Sequence, residues 1–522
     1  MITRDGNTTS LWQSHANGFK PTLVSDQRKF DVAIAGAGIT GLTTGLLLQR
    51  LGKSVIIFDS WHIGFGTTGG TTAHLNTLLD TPYPQIIDDF GKEKAKLVAQ
   101  SAKDALQLIA DHVSKFNIQC GYSDANAYLY SQNRKENNEL ISIHEACRDV
   151  GIETEFVDTL PLDFKFDNVL MFKHQAKFSP LDYLYGLALE FEKAGGVIRQ
   201  NCRVNDVNGN EPLNIETTDG MFEAKSFVFA THIPPGVNLL HLRCIPNRSY
   251  AMSVRLNNGN YPEGLIYDMK DPYNYYRTQI IDGINYLIIG GFDHKTAHKS
   301  NTSESFLHLE AHIREHFDVA EITHKWSSQY YESVDGLPYI GHLPGKEENV
   351  YVATGFGGNG MTYSHVAARV IAHLIMKLPD PYNGVFHPSR IKPVAGFSNF
   401  IAHNADVVKQ YSHKWLPLDQ IEELSELAPG EGRVVKFNDE SVALHKDMNG
   451  GLHAVRPICT HLGCTVSWNM AEQSWDCPCH GARYSVDGEV LNGPASKDLE
   501  RIDVEEPNQS TPNQPSPKPI EH

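Results

Sequence analysis

The chain has 522 residues, 41% of them hydrophobic, which is enough to bury more than one sizeable core and too much for one ordinary domain. Its 62 acidic and 45 basic residues leave a formal charge of −17, a field that opposes nucleic acid and anionic lipid as partners. No run of about 18 apolar residues is free of charge, and no apolar stretch follows a basic start, so the sequence predicts no transmembrane segment, no signal peptide and a cytoplasmic location.

A polar arm covers 1–29. FDVAIAG, from Phe30, then reads as a buried parallel strand entering a glycine turn, ITGLTTGLLLQRLG as the following helix and SVIIFDS as the next strand. Gly36, Gly38 and Gly41 make GAGITG directly after the first strand, and Asp59 ends the second. The first two glycines let the backbone turn and approach a pyrophosphate seated on the helix N-terminus, while Asp59 can accept a hydrogen bond from a ribose 2′-OH and disfavours a 2′-phosphate. A plain connecting turn is the alternative, and the strand, helix and acid together argue against it.

The Thr67, Thr68, Gly69, Gly70 run, taken alone, reads as loop material. Helical PLDYLYGLALEFEKAGG and strand-like KSFVFAT and NYLIIGGFD give a mixed α/β body. From Tyr261 to Ile289 the runs are short, aromatic and β-rich, predicting an inserted antiparallel sheet, within about 245–330, that roofs a substrate pocket. Tyr276 and Arg277 lie on that sheet as candidate substrate contacts, since an arginine can clamp a carboxylate; a surface strand arginine is the alternative. His308, His312 and His316 share one helical face, but Phe306, Leu309, Ile313 and Phe317 define the buried one, so the histidines read as a solvated stripe.

Gly355, Gly357 and Gly360 make a second literal GxGxxG, in ENVYVATGFGGNGM, yet no acid-ended strand follows. That argues against a second dinucleotide site and against an NAD(P)H-driven reductase. Over 379–414 proline and asparagine mark a linker, with a helix from Phe397 to about Tyr411. Short strands with close turn signals then predict a small all-β domain over 415–506, followed by a disordered tail over 507–522.

Four of the eight cysteines fall between Cys459 and Cys479, whereas Cys120, Cys147, Cys202 and Cys244 are scattered as ordinary buried thiols. CTHLGC and CPCHG each offer one thiolate and one imidazole. A Cys2His2 zinc site is the competing reading, but Cys459 and His461 stand closer together than paired zinc ligands usually do. The two loops closely resemble those of Rieske [2Fe-2S] proteins. That resemblance implies Cys459 and Cys477 on one iron, His461 and His480 on the other, and a higher potential than an all-thiolate cluster.

Cys464 and Cys479 correspond to the cysteines that tie these loops with a disulfide in such proteins; in a cytoplasmic protein they can instead remain thiols. Gly493, Pro494 and Ala495 resemble the loop that covers the cluster, and Tyr484 the tyrosine near a ligand sulfur. Ala482 stands where respiratory members commonly carry serine, a lost donor that speaks against a respiratory-complex role. Outside the histidine stripe no helix offers two histidines and a carboxylate for a mononuclear iron, which demotes an oxygenase.

Residues 30–378 resemble the D-amino-acid oxidase-like family of FAD enzymes, which includes glycine and sarcosine oxidases. The resemblance rests on GAGITG with Asp59, GTTGGTTAH from Gly66, SVDGLPYIG from Ser333 and ATGFGGNGM from Ala353. It implies FAD, with Thr67, Thr68, Gly69 and Gly70 along the pyrophosphate and ring and the backbone of Val204 at the adenine. Gly355, Gly357, Gly358, Asn359, Gly360 and Met361 would close over the flavin, their helix N-terminus stabilising its reduced form.

The implied fold is α/β: a Rossmann-like FAD-binding domain with an inserted antiparallel-sheet substrate domain, plus a small all-β Rieske domain. The implied function is transfer of a hydride from a small amine or amino acid to FAD, then of single electrons through the cluster to an external acceptor. The alternative is an electron-transfer protein or redox sensor exchanging electrons with a protein partner.

Overall fold

Four strands, Lys29–Ala35, Val55–Phe58, Gly220–Phe229 and Val350–Thr354, run parallel at the centre of an eight-stranded sheet. Their sequences are nearly unbroken apolar runs, and Val32, Ala33, Ile34, Ile56 and Ile57 have no exposed surface, as expected of parallel strands covered on both faces. The helix Ile39–Arg50 leaves the first strand through the glycine turn and packs between Pro180–Lys193 and Gly360–Ile375. The structure, a computed structural model, describes residues 4–390, 397–412 and 426–503. The tail expected over 507–522, part of the linker and the start of the C-terminal domain lie outside the described residues.

The second sheet has nine strands and forms the roof. It corrects the sequence reading in two ways. The sheet draws strands not only from Cys244–Leu256 to Val319–Ser333 but also from His74–Leu75, Ser123–Ser131, Thr154–Val157 and Asn168–Lys177. Nor is it wholly antiparallel, because Leu265–Asp268 pairs parallel with Ser123–Ser131, placing Leu265 against Ala127. The helix Ser303–His316 covers its outer face with Leu309 and Ile313. His308 and His316 on that helix are exposed, as expected, whereas His312 is half-buried and bonds the Tyr276 hydroxyl at 2.7 Å.

The C-terminal domain is all β. A three-stranded sheet (Gly432–Phe437, Glu440–Lys446, Leu452–Val455) accompanies a four-stranded one (Ser467–Asn469, Ser474–Asp476, Arg483–Tyr484, Val490–Asn492). The helix Phe397–Ser412 precedes it, and no helix among the described residues is long and apolar enough to cross a membrane.

The N-terminal arm is part of the fold rather than a free polar segment. Ser10 caps a short helix, Leu11–His15, in a reciprocal capping box with Gln13, and Leu11 and Trp12 are buried. The Ser10 hydroxyl donates to the Gly69 carbonyl at 2.5 Å and the Trp12 indole to the Thr71 carbonyl at 2.6 Å, so the arm clamps the Thr67–Gly70 turn from outside. Ahead of that helix, Arg4 and Asp5 enter a fully buried charge network with Arg248 of the roof sheet and Glu472, Asp476 and Arg483 of the C-terminal domain. These six residues join the three parts of the chain.

Candidate functional site

The strand Lys29–Ala35 ends at Gly36, whose φ of +104° and close approach to the Ala230 carbonyl leave no room for a side chain. A Cβ on Gly41 would lie 1.9 Å from the Gly36 carbonyl oxygen, so this glycine sets how closely the helix can follow the turn. Asp59 caps the motif: its two oxygens accept from the Ala37 and Trp61 amides at 2.8 and 2.9 Å. The Thr68 hydroxyl meets the helix N-terminus, accepting from the Ile39 amide at 3.2 Å.

These groups open onto a cavity of about 470 Å³ beneath the roof sheet. Among the residues singled out in the sequence, Gly36, Gly38, Asp59, Thr67, Thr68, Gly70, Val204, Gly357, Gly358, Asn359, Gly360 and Met361 line it. Gly41, Gly69 and Gly355 do not; they shape the turns behind the lining. A glycine cradle, an acid at the second strand and a long cleft ending at the Gly360–Ile375 helix together fit a flavin dinucleotide.

Tyr276 and Arg277 are not at the cavity, which corrects the expectation that they touch substrate. Tyr276 points to the outer face of the roof, bonded to His312 and flanked by Phe164 and Phe317. The Arg277 guanidinium is buried and spent on the carbonyls of Thr72, Ala73 and Phe178, at 3.0, 2.6 and 3.2 Å. It anchors the segment that leads from the Thr67–Gly70 turn to His74, where Ala73 adopts a φ of +56°. Arg277→Ala should therefore strip those carbonyls of their donor, lower stability by about 2–4 kcal/mol and loosen flavin. The flavin-to-protein absorbance ratio after gel filtration, with thermal unfolding, checks this; full flavin retention would refute it.

The residues that do line the roof are Ser249, Tyr267, Tyr273, Tyr275, Asp293, Ser328 and Tyr330, with Asp80 and His74 beside them. Sequence reasoning passed over them, and the nearest signal was the YNYY run itself.

The cavity is also lined by the C-terminal domain, through the strand residues Val490, Leu491 and Asn492 and through Gly493 and Ala495 of the loop that the sequence matched to a cluster cover. The two candidate cluster loops sit just behind it. Each closes in the same way: the Gly463 amide bonds the Cys459 carbonyl at 3.0 Å, and the Gly481 amide bonds the Cys477 carbonyl at 3.0 Å. Both glycines have positive φ, +78° and +74°.

Cys464 and Cys479 form a disulfide between the loops. The sulfurs of Cys464, Cys477 and Cys479 lie within 4.8 Å of one another, but the disulfide uses two of them and leaves Cys477, with Cys459, as the free pair. The His461 and His480 rings stand 5.0 Å apart, and their Nδ1 atoms are buried without a hydrogen-bond partner. Burial lowers both imidazoles below their ordinary value and keeps them in the neutral form that binds metal. The hydrogen bond from Cys477 holds the Cys459 thiol down, and the Tyr484 hydroxyl lies 3.2 Å from its sulfur. Two free thiols and two bare imidazole nitrogens, carried in pairs on two loops tied by a disulfide, fit a Cys2His2-held [2Fe-2S] cluster.

The roof sheet grips this region directly. The Tyr331 hydroxyl donates to the carbonyls of His480 (3.2 Å) and Gly493 (3.1 Å), and the Gln329 amide donates to the Gly481 carbonyl at 2.8 Å. His461 Nε2 meets the Gly236 carbonyl and the His241 ring at 3.2 and 3.1 Å.

Comparison with known proteins agrees with this geometry. Residues 31–374 match the family model of FAD dependent oxidoreductases (DAO), and residues 414–503 match that of the Rieske [2Fe-2S] domain. YhfW of Bacillus subtilis (strain 168), by name a Rieske 2Fe-2S iron-sulfur protein, is 33% identical over 93% of this chain and 95% of its own. Gamma-glutamylputrescine oxidoreductase of Escherichia coli (strain K12) is 22% identical over 71% of this chain and 89% of its own. Among solved structures, glycine oxidase from Geobacillus kaustophilus superposes with a TM-score of 0.59 at 20% identity, covering 70% of this chain and 100% of its own, a likeness of fold.

Proposed function

We propose, on the premise that the chain belongs to the FAD-dependent oxidoreductase (DAO) family and carries a C-terminal Rieske [2Fe-2S] domain, that it oxidises a small amine- or amino-acid-like substrate and passes the electrons within one chain to an external acceptor. The observation that carries this reading is a single cavity lined at once by the glycine turn, the roof tyrosines and the Val490–Gly493 segment of the cluster domain. The name of one relative, gamma-glutamylputrescine oxidoreductase, supports the substrate class, and the chain shares its fold with a glycine oxidase.

Bound FAD supplies a two-electron acceptor and the cluster a one-electron relay. Gly36, Gly38 and Thr68 would hold the pyrophosphate, Asp59 the ribose, and Gly357 to Met361 the ring edge, whereas Cys459, Cys477, His461 and His480 would hold the cluster. Tyr267, Tyr273, Tyr275 and Tyr330 cover the reacting end, orient the substrate and keep bulk water from it. Tyr331 and Gln329 pin the second cluster loop to the roof, so both centres keep a fixed spacing without a diffusional encounter.

The test is anaerobic titration of the holoprotein with a panel of amines and amino acids, following flavin bleaching and the EPR signal of the reduced cluster together. One compound should bleach the flavin and raise the cluster signal. If none does, while a reduced carrier protein reduces both centres, the chain is an electron carrier and this reading fails.

A further inference from the structure

Electrostatics at the reacting end of the cleft point one way. Asp293, from the Ile284–Lys295 strand, lines the cavity; its Oδ2 accepts from the Tyr330 hydroxyl at 2.8 Å, while its Oδ1 is buried with no hydrogen-bond partner. Asp80, also lining, accepts from the Tyr273 hydroxyl at 3.2 Å and from the Gly358 amide at 2.5 Å. Glu332 is close enough for both acids to act on it electrostatically. The strongest influences on all three are burial, hydroxyl and amide donors, and one another; none is a lysine or arginine.

The basic residues that line other parts of the cavity each already face an acid. Arg4 is 3.5 Å from Asp5, Arg203 is 3.5 Å from Asp498, and Lys270 is 3.8 Å from Asp268. Arg277, the guanidinium that could have met a carboxylate, is turned into the fold. The roof therefore holds three carboxyl groups in no ion pair among the described residues, an unpaired carboxyl oxygen and three tyrosine rings. That combination attracts an ammonium group through charge and through the ring faces, and repels a carboxylate.

We infer that the substrate end of the cleft is built for an organic ammonium group, carried by an aliphatic amine that bears no carboxylate beside its nitrogen, seated against Asp293 and Asp80 among Tyr273, Tyr275 and Tyr330. This rests on the oxidoreductase reading above and narrows its substrate class. Burial, reinforced by Asp80, holds Asp293 up at about 7, and burial with both neighbouring acids does the same for Glu332. The groups facing Asp293 are Ser249, Tyr330 and Asp80. An arriving cation needs the ionised carboxylate, so cation affinity rises as pH climbs through about 7 and is lost as pH falls below it.

The experiment is perturbation of the flavin spectrum of the anaerobic holoprotein by butylamine, tetramethylammonium, sarcosine and butyrate. Butylamine and tetramethylammonium should bind about tenfold or more tightly than sarcosine, with butyrate failing to compete. Tetramethylammonium has no proton to lose, so a rise in its affinity between about pH 6 and about pH 8 reports the protein's own carboxylates. Asp293→Asn should weaken it about tenfold and flatten that rise. Sarcosine binding as tightly as butylamine, or a flat pH profile for tetramethylammonium on the wild type, overturns the inference; the wild-type profile decides should the variant not fold. Flavin reduction by sarcosine with a rising cluster signal would leave the oxidoreductase reading standing and remove this one. Cation binding as described, with reduction only by a carrier protein, would do the reverse.

Discussion

His461→Ala is expected to abolish the EPR signal of the reduced cluster, and the chain's iron and acid-labile sulfide with it, while flavin stays bound. The imidazole has two nitrogens, and the fold has already spent one: Nε2 faces the Gly236 carbonyl and His241. Nδ1 is buried and bare, with the His480 ring 5.0 Å away, so it is the atom left to bind iron. Removing one of four ligands exposes an iron edge that the protein cannot cover. The flavin should survive because Gly36, Asp59, Thr67 and Thr68 bond to other segments and, among the described residues, not to the Cys459–Cys464 loop. His308→Ala, on the exposed helical stripe, is the matched control and should change neither cofactor. A full cluster signal in His461→Ala would refute the ligand assignment.

Motifs that fold on their own hydrogen bonds were the legible part of this sequence. The GAGITG turn needs glycine partly for local reasons, the positive φ of Gly36 and the contact of Gly41 with the Gly36 carbonyl, and the two cluster loops repeat one Cys-to-Gly closure, so residue type and spacing carried the signal. The roof was harder to read. Successive residues of a strand face opposite ways, and sequence alone does not say which face is inward. Choosing Tyr276 for the cavity missed by one position, since Tyr275 lines it while Tyr276 packs outside.

Arg277 does lie on the inner side, but its acceptors are main-chain carbonyls, which leave no trace in residue type. The parallel pairing of Leu265 with Ala127 was hidden for a different reason: it joins segments far apart in the chain, each of which reads locally like a hairpin strand. The arm reads as polar because Arg4 and Asp5 find their partners hundreds of residues away. Whether Cys464 and Cys479 pair depended on geometry and not on spacing, and the fold brings them together.

Glu472→Ala should cost about 3–5 kcal/mol, among the largest losses available to a single substitution outside the cofactor ligands. Its carboxylate sits between Arg248 of the roof sheet and Arg483 of the cluster domain, with neither guanidinium exposed. Three arginines (Arg4, Arg248 and Arg483) face three acids (Asp5, Glu472 and Asp476), so the buried network is balanced. Removing one acid leaves an uncompensated positive charge with no water to solvate it. The exposed pair Lys29 and Glu223 offers the contrast: breaking it should cost less than about 1 kcal/mol.

The defect should be visible as a lower unfolding temperature and earlier proteolysis between the two domains. Under the proposed transfer from flavin to cluster, rapid mixing should also show the cluster reduced more slowly after the flavin, because the network sets how the domains dock. Adding Arg248→Met to Glu472→Ala should recover more than half of the lost stability, since an apolar side chain removes the orphaned charge and its desolvation together. If the double variant is as unstable as the single, the loss comes from packing at position 472 and the electrostatic account fails.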